Sequence, residues 1–148
     1  MSFSLSHEPI SSAMLTSSFS SPKAGAIVTF EGRVRDTNEG HMVERLTYEA
    51  HEPLCRVLFS RIETEAVRDF GLLHVSCLHR LGDLHVGEVA VVLLVASMHR
   101  KEAFAATAHI MDALKSTLAI WKKEHYVGAP SRWVACSHQN SQRGEGPQ

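Results

Sequence analysis

The stretch that decides the fold reads Val86-Gly-Glu-Val-Ala-Val-Val-Leu-Leu-Val-Ala96, followed directly by Ser97-Met-His-Arg-Lys101. Its first part is almost unbroken apolar and rich in β-branched residues, which predicts a buried core strand. Residues of one helical face follow it: Ala103, Phe104, Thr107, Ala108, Met111, Leu114 and Leu118. The sequence therefore predicts a strand that turns into a long helix, from about His99 to Leu118, with Ser97 as its N-cap.

This helix start carries three basic side chains, His99, Arg100 and Lys101. The first N–H groups of a helix are unpaired and partly positive, so the position suits an anion such as a phosphate. A solvated helix start with ordinary surface cations gives the same pattern. The segment alone leaves both interpretations open.

Length and composition indicate one ordinary domain, for which we expect residues 1–137, followed by a disordered polar tail at 138–148. The chain has 148 residues and a formal net charge of −1, which argues against nonspecific nucleic-acid binding. No apolar run approaches the ~20 residues that span a bilayer. We also expect no secretion signal, because no basic segment precedes a continuous apolar stretch near the N-terminus.

The chain has three widely separated cysteines, Cys55, Cys77 and Cys136. Without a C-x-x-C pair, they favour free, structural thiols in a reducing compartment, hence a cytoplasmic protein. A zinc site is a weaker alternative, and its best candidates are His74, Cys77, His79 and His85. Cys77 and His79 share one face of a predicted strand, but the spacing fits no standard set of zinc ligands.

The other segments alternate between strand and helix patterns. We predict a short strand at 2–6, a short helix after Pro9, strands at 26–35, 45–50, 72–80 and 132–136, and a helix from Pro53 to a stop at Gly71. Residues 36–40 and 81–85 are expected to connect these elements. Mixed elements with several short connections indicate the α+β class, with an antiparallel sheet.

The long helix places basic and apolar residues on one stripe. At 100° per residue, Arg100, Phe104, Met111 and Lys115 fall within about 60°, with Lys122 nearby if the helix persists. A lysine within an apolar stripe is either functional or lays its methylenes on the core with its ammonium in water. Arg33 and Arg35 share a face of their strand, so they line the same pocket or lie on the surface.

Helix length adds a constraint on these cations. Arg100 and Lys115 are separated by ~22 Å along a straight helix. If both serve one site, a second copy of the chain must bring its His99 and Arg100 to Lys115 of the first. A homodimer follows from that premise.

At these residues the chain resembles the catalytic (large) subunit of molybdopterin synthase, the MoaE family. The similarity runs in order through residues 25–40, 78–88, 97–104, 110–115, 120–124 and 132–134. The resemblance implies an α/β hammerhead-like fold with an added small β subdomain. It implies an enzyme, a sulfurtransferase of molybdenum cofactor biosynthesis, with no bound cofactor or metal.

The implied reaction moves sulfur from the C-terminal Gly-Gly thiocarboxylate of a small ubiquitin-like, MoaD-like partner. The acceptor is cyclic pyranopterin monophosphate, which gains the dithiolene of molybdopterin. The implied assembly is a heterotetramer on a central homodimer, without nucleic acid or membrane. The alternative function is a noncatalytic docking module for a ubiquitin-like tail.

The resemblance also implies site residues. Lys115 and Lys122 match catalytic lysines, and the substrate-binding positions are Arg33, Val34, Arg35, His99, Arg100, Lys115, Lys122, Lys123 and Glu124. Phe30 and Met111 match pocket-lining residues. One departure is Ala119, where the family often has a proline. Without this helix stop, we expect the helix to run further, toward Lys122.

Overall fold

The computed structural model describes residues 2–135. Within this range the helices are α1 (Ser12–Thr16), α2 (Glu52–Phe70) and α3 (Arg100–Thr117). The strands are β1 (Phe3–Ser6), β2 (Ala26–Arg33), β3 (Thr37–Asn38), β4 (His41–Ala50), β5 (His74–Arg80), β6 (Gly82–His85), β7 (Val89–Ser97), β8 (Ile120–Tyr126) and β9 (Arg132–Ala135). The expected tail at 138–148 and Cys136 lie outside the described residues.

The strands form two sheets. One has four strands in the order β1-β5-β7-β2, in which only the β1–β5 pair is parallel. The other has the order β3-β4-β8-β9, with β6 also paired to β4, and all its pairs are antiparallel. This second sheet is the predicted added β subdomain. Together with the three helices, the two sheets confirm the α+β class.

Strand β7 is buried on both faces, which explains its continuous apolar sequence. Leu93 and Val95 belong to the large core under α2 and α3. Val92 and Leu94 alternate with them and pack with Leu15 of α1 on the opposite face. Because successive strand residues point to opposite sides, a strand covered on both sides must be apolar at every position.

Helix α2 begins and ends where the sequence indicates. Pro53 lies in its first turn, where a missing N–H costs nothing. Nδ1 of His51 accepts a hydrogen bond from the Leu54 N–H at 3.2 Å. Gly71 ends the helix with φ 64°, the left-handed conformation that glycine adopts without strain.

The junction between β7 and α3 differs from the prediction. Ser97 is the last residue of β7 rather than the helix N-cap, which is His99. The Ser97 carbonyl accepts a hydrogen bond from the Gly25 N–H at 3.0 Å, so β2 holds this residue in the sheet. Pairing with a neighbouring strand therefore outweighs the local capping preference of serine.

The core face of α3 is also rotated from the predicted stripe. Phe104 is 64% exposed and Ala108 is exposed. The buried positions are Ala103, Ala106, Thr107, Ile110, Met111 and Leu114. The Phe104 side chain is therefore not part of the core, and it is available for contacts with another molecule.

The expectation that α3 continues toward Lys122 is wrong. Leu118 is extended at ψ 140°, and the chain enters β8 at Ile120. Strand β8 lies between β4 and β9, with Tyr48 opposite Lys122. Two partner strands satisfy its backbone groups, so residues 120–126 are held as a strand.

Two segments expected to be connections contain short strands. Thr37 and Asn38 form β3, which pairs with the start of β4 through a turn at Glu39 and Gly40. Residues 82–85 form β6, which pairs with β4 on the same edge as β3, opposite β8. None of the helices within residues 2–135 combines the length and the apolar character that crossing a bilayer requires.

We predict that Gly25→Ala lowers the free energy of unfolding by about 1–3 kcal/mol, a typical penalty for overpacking. A Cβ at this position would lie 2.1 Å from the backbone oxygen of Met98, so the β2 start and the β7–α3 junction must separate. Urea unfolding measures the effect. Lys23→Ala, an exposed change in the same loop, is the control; equal stability of the two variants would contradict the prediction.

Candidate functional site

A pocket of about 180 Å³ lies where the two sheets meet the C-terminal end of α3. Its lining comprises Phe30, Gly32, Arg33, Arg35, Thr37, Asn38, Val43, Leu46, Tyr48, Cys77, His79, Ala90, Val91, Met111, Leu114, Lys115, Leu118, Ile120, Lys122 and Glu124. Both sheets and α3 contribute residues, so the pocket exists only in the folded chain.

Four basic side chains give the pocket a positive character. The lining contains Arg33, Arg35, Lys115 and Lys122 but only one acidic side chain, Glu124. Arg33 also forms an ion pair at 3.0 Å with Glu31, which is not part of the lining. Arg35 and Lys115 make no ion pair within residues 2–135. Arginine and lysine are the usual ligands of phosphate and carboxylate groups, so the pocket suits an anionic ligand.

Lys122 is held by a buried carboxylate. Glu124 is 1% exposed, and its Oε1 lies 3.5 Å from Nζ of Lys122. Asn38 Nδ2 donates to Oε1 at 2.7 Å, and the Tyr126 hydroxyl donates to Oε2. Burial alone would raise the pKa of Glu124, but these hydrogen bonds and the Lys122 charge outweigh it and lower that pKa.

The Asn38 contact also anchors the β3–β4 hairpin to β8. Asn38 and Thr37 of β3 line the pocket, and Glu124 lies in β8, on the other side of β4. The hydrogen bond spans 86 residues of sequence. Glu124 thus fixes both a catalytic candidate, Lys122, and one wall of the pocket.

The apolar part of the pocket is tightly built around Gly32. A Cβ at this position would lie 2.6 Å from Cγ1 of Val91 and 3.4 Å from Cε1 of Phe30. Met111 and Leu114 of α3 add further apolar surface beside Lys115. A flat ring system fits an apolar pocket with a few charged groups.

Sequence reasoning missed Tyr48 and His79 as pocket residues. The two rings meet edge to face, with centroids 5.0 Å apart and planes at 75°. The signal in the sequence is the shared strand face of Cys77 and His79, since two side chains on one face of a strand enter the same space. In the fold that face forms part of the pocket wall. Within residues 2–135, no group of three or more His, Cys, Asp and Glu side chains is placed to hold a metal ion.

The thiols in this region are protonated at neutral pH. Burial raises the pKa of Cys77 to about 12. Burial is also the main cause of the raised pKa of Cys55, which lies on the buried face of α2. Both cysteines are free and buried, as the sequence analysis expected of structural residues. A protonated thiol is a poor nucleophile.

The structure brings together seven of the eleven expected site residues in this pocket: Phe30, Arg33, Arg35, Met111, Lys115, Lys122 and Glu124. Val34 packs instead in the core with Leu46 and Leu84, and its N–H donates to the Glu88 carbonyl. Lys123 places its ammonium 5.7 Å from the centre of the Trp133 ring.

His99 and Arg100 do not line the pocket of their own chain. They are exposed at the N-terminal end of α3, whereas Lys115 lies in its last turn. The helix length thus keeps them apart, as the sequence spacing predicts. Any contribution they make to this pocket must come from another copy.

Comparisons with known proteins agree on one family. The MoaE protein family model matches residues 5–117. The molybdopterin synthase catalytic subunit of Pyrococcus abyssi is 42% identical over 105 residues, covering 71% of this chain and 71% of the relative. The subunit of that name from Coccidioides immitis is 39% identical over 126 residues, which cover 85% of this chain. The match spans 64% of that relative, slightly less than two thirds of its length.

A solved structure confirms the predicted fold. The X-ray crystal structure of molybdopterin synthase from Staphylococcus aureus superposes with a TM-score of 0.84 at 32% identity. The superposition covers 90% of this chain and 97% of that chain.

We predict that Glu124→Gln lowers the free energy of unfolding by about 1–3 kcal/mol at pH 7. Glutamine has one acceptor oxygen for the two donors, Asn38 and Tyr126, and it removes the negative charge beside Lys122. The folded pKa of Glu124 lies below its ordinary value of 4.5, so its stabilisation is complete above that pH. It is lost as the pH falls through the folded pKa.

Urea unfolding at several pH values checks this prediction. The difference between the unchanged chain and Glu124→Gln should be largest above about pH 5 and shrink in more acidic solution. Glu49→Gln, an exposed change on β4, should be nearly neutral throughout. A difference that grows toward low pH would show that the sign is wrong.

Proposed function

The chain belongs to the MoaE family of molybdopterin synthase catalytic subunits, and on that premise we propose that its pocket transfers sulfur to a phosphorylated pterin. The donor is the C-terminal glycine thiocarboxylate of a small ubiquitin-like partner, and the acceptor is cyclic pyranopterin monophosphate. The observation that carries the proposal is the apolar pocket with four cationic side chains, Arg33, Arg35, Lys115 and Lys122.

The pocket matches both parts of this acceptor. Arginine stays protonated at all physiological pH values and binds phosphate through paired N–H groups, which suits Arg33 and Arg35. The apolar surface of Phe30 and Met111 suits the ring system. The same positive charge attracts the thiocarboxylate of the partner, so substrate and donor meet in one place.

The two lysines take different roles. Lys115 lies in the last turn of α3, beside Met111 and Leu114, and has no ion-pair partner within residues 2–135. We assign it to the thiocarboxylate. Lys122 is oriented by Glu124, so it presents a fixed positive charge to the acceptor. A charge fixed in place before reaction stabilises developing negative charge without the cost of reorientation.

A homodimer completes the site. His99 and Arg100 of one copy reach the pocket of the other and bind the phosphate there. The neighbours of this pair support a contact between copies, since Met98 is 58% exposed and Phe104 is 64% exposed. Large exposed apolar side chains beside a charged pair are typical of interfaces. With one partner on each copy, the assembly is a heterotetramer.

The location we propose is the cytoplasm. Cys55 and Cys77 are free and buried, which agrees with a reducing compartment. The alternative function, a noncatalytic docking module, would use the same pocket and the same partner but would not catalyse sulfur transfer. The reaction itself therefore distinguishes the two functions.

Lys115→Ala is expected to abolish dithiolene formation, with at least a hundredfold loss of rate, while partner binding is largely kept. Mass spectrometry of cyclic pyranopterin monophosphate incubated with the thiocarboxylated partner measures turnover, and calorimetry measures binding. Lys23→Ala, an exposed lysine change outside the pocket lining, is the control. Full activity of Lys115→Ala would refute the assigned role. Absence of turnover by the unchanged protein would favour the docking module.

Mixing two inactive variants tests whether the site is shared between copies. Arg100→Ala and Lys115→Ala should each be impaired alone. After random reassociation, half of the dimers are mixed, and each has one site free of both changes. About one quarter of the normal activity should return. If each chain supplies the whole of its own site, the mixture will show no recovery.

A further inference from the structure

His79 lies within the pocket and none of the roles above uses it. It is near the end of β5, opposite Val91 of β7, and its ring meets the edge of Tyr48 from β4. Cys77, two residues earlier, faces the same pocket. The imidazole is therefore held by three strands, in a wall otherwise formed by apolar side chains and a protonated thiol.

One hydrogen bond determines which nitrogen of the ring carries the proton. Nδ1 of His79 lies 2.8 Å from the backbone oxygen of Arg80. A carbonyl oxygen only accepts, so Nδ1 is the donor, and in the neutral ring Nε2 is left as a bare acceptor. Burial lowers the pKa of His79 to about 4, so the ring is neutral at physiological pH.

Nε2 of His79 has no hydrogen-bond partner within residues 2–135. The charged groups that line the same pocket are Arg33, Arg35, Lys115, Lys122 and Glu124, and none of them contacts the ring through a hydrogen bond or ion pair. An acceptor fixed in direction in a half-buried apolar wall is satisfied when a ligand brings an N–H or O–H group.

We propose that His79 is a specificity residue, whose Nε2 accepts a hydrogen bond from an N–H group on the edge of the pterin ring. This inference rests on the proposed function and deepens it. The cationic side chains recognise the phosphate, which many metabolites carry. His79 recognises the heterocycle, because a phosphorylated sugar without ring N–H groups offers no matching donor at that position and leaves the acceptor unpaired.

Two substitutions separate this role from a structural one. His79→Asn keeps an amide N–H at about the position of Nδ1, so it still donates to the Arg80 carbonyl, but it has no acceptor at the position of Nε2. His79→Gln brings an amide oxygen to about that position. His109→Asn, an exposed change on α3, is the matched control.

We expect His79→Asn to raise KM for cyclic pyranopterin monophosphate about tenfold with little change in kcat, as expected for one lost hydrogen bond. His79→Gln should recover most of this loss. Competitive inhibition by inorganic phosphate should be the same in all three variants, since phosphate engages the cationic side chains alone.

An unchanged KM in His79→Asn, equal impairment of the Asn and Gln variants, or a weaker phosphate inhibition in both would overturn the inference. Circular dichroism confirms that each variant is folded. If the unchanged protein shows no turnover, the proposed function fails. In that case calorimetry measures binding of the same pterin to the unchanged chain and to His79→Asn. Weaker binding to His79→Asn would support the inference, and equal binding would overturn it.

Discussion

The fold depends on one constraint, the burial of β7 on both faces. Val92 and Leu94 face α1, whereas Leu93 and Val95 face α2 and α3, so the strand must lie between two layers. Full burial of such side chains contributes roughly 1.5–3 kcal/mol each. Because β5 and β2 pair along its length, β7 places His79 and Arg33 on either side of the pocket. The pocket is therefore built outward from the most buried strand.

Electrostatics separates the basic residues of the pocket into two kinds. Lys122 and Arg33 have acidic partners: Lys122 is held by the buried Glu124, and Arg33 pairs with Glu31 outside the lining. Lys115 and Arg35 have no such partner within residues 2–135, so their charge is available to a ligand. Burying a carboxylate costs several kcal/mol unless hydrogen bonds and charge repay it. Asn38 and Tyr126 supply those bonds, which is why an acidic residue can remain in the lining of a pocket that also contains four basic side chains.

The sequence was sufficient for features that are encoded locally. Continuous apolar residues identified β7, Pro53 and Gly71 bounded α2, and the ~22 Å between Arg100 and Lys115 separated the two ends of α3. Features that depend on contacts between residues far apart in the sequence could not be predicted from it. The residues around Ser97 predict a helix N-cap, because its pairing with β2 depends on residues far away in the sequence. Tyr48 and His79 become neighbours only when β4 and β5 are placed against each other.

The end of α3 shows how a tertiary contact replaces a local signal. The resemblance leads to the expectation of a proline at position 119, and a helix without one is expected to continue. Here the Ala119 carbonyl instead accepts hydrogen bonds from the His51 N–H at 3.0 Å and the Cys55 thiol at 3.2 Å. These contacts hold the carbonyl toward the start of α2, so it cannot serve the next turn of a continued helix. Lys115 thus stays on a helix and Lys122 begins a paired strand, and the two ammonium groups reach one pocket from different elements.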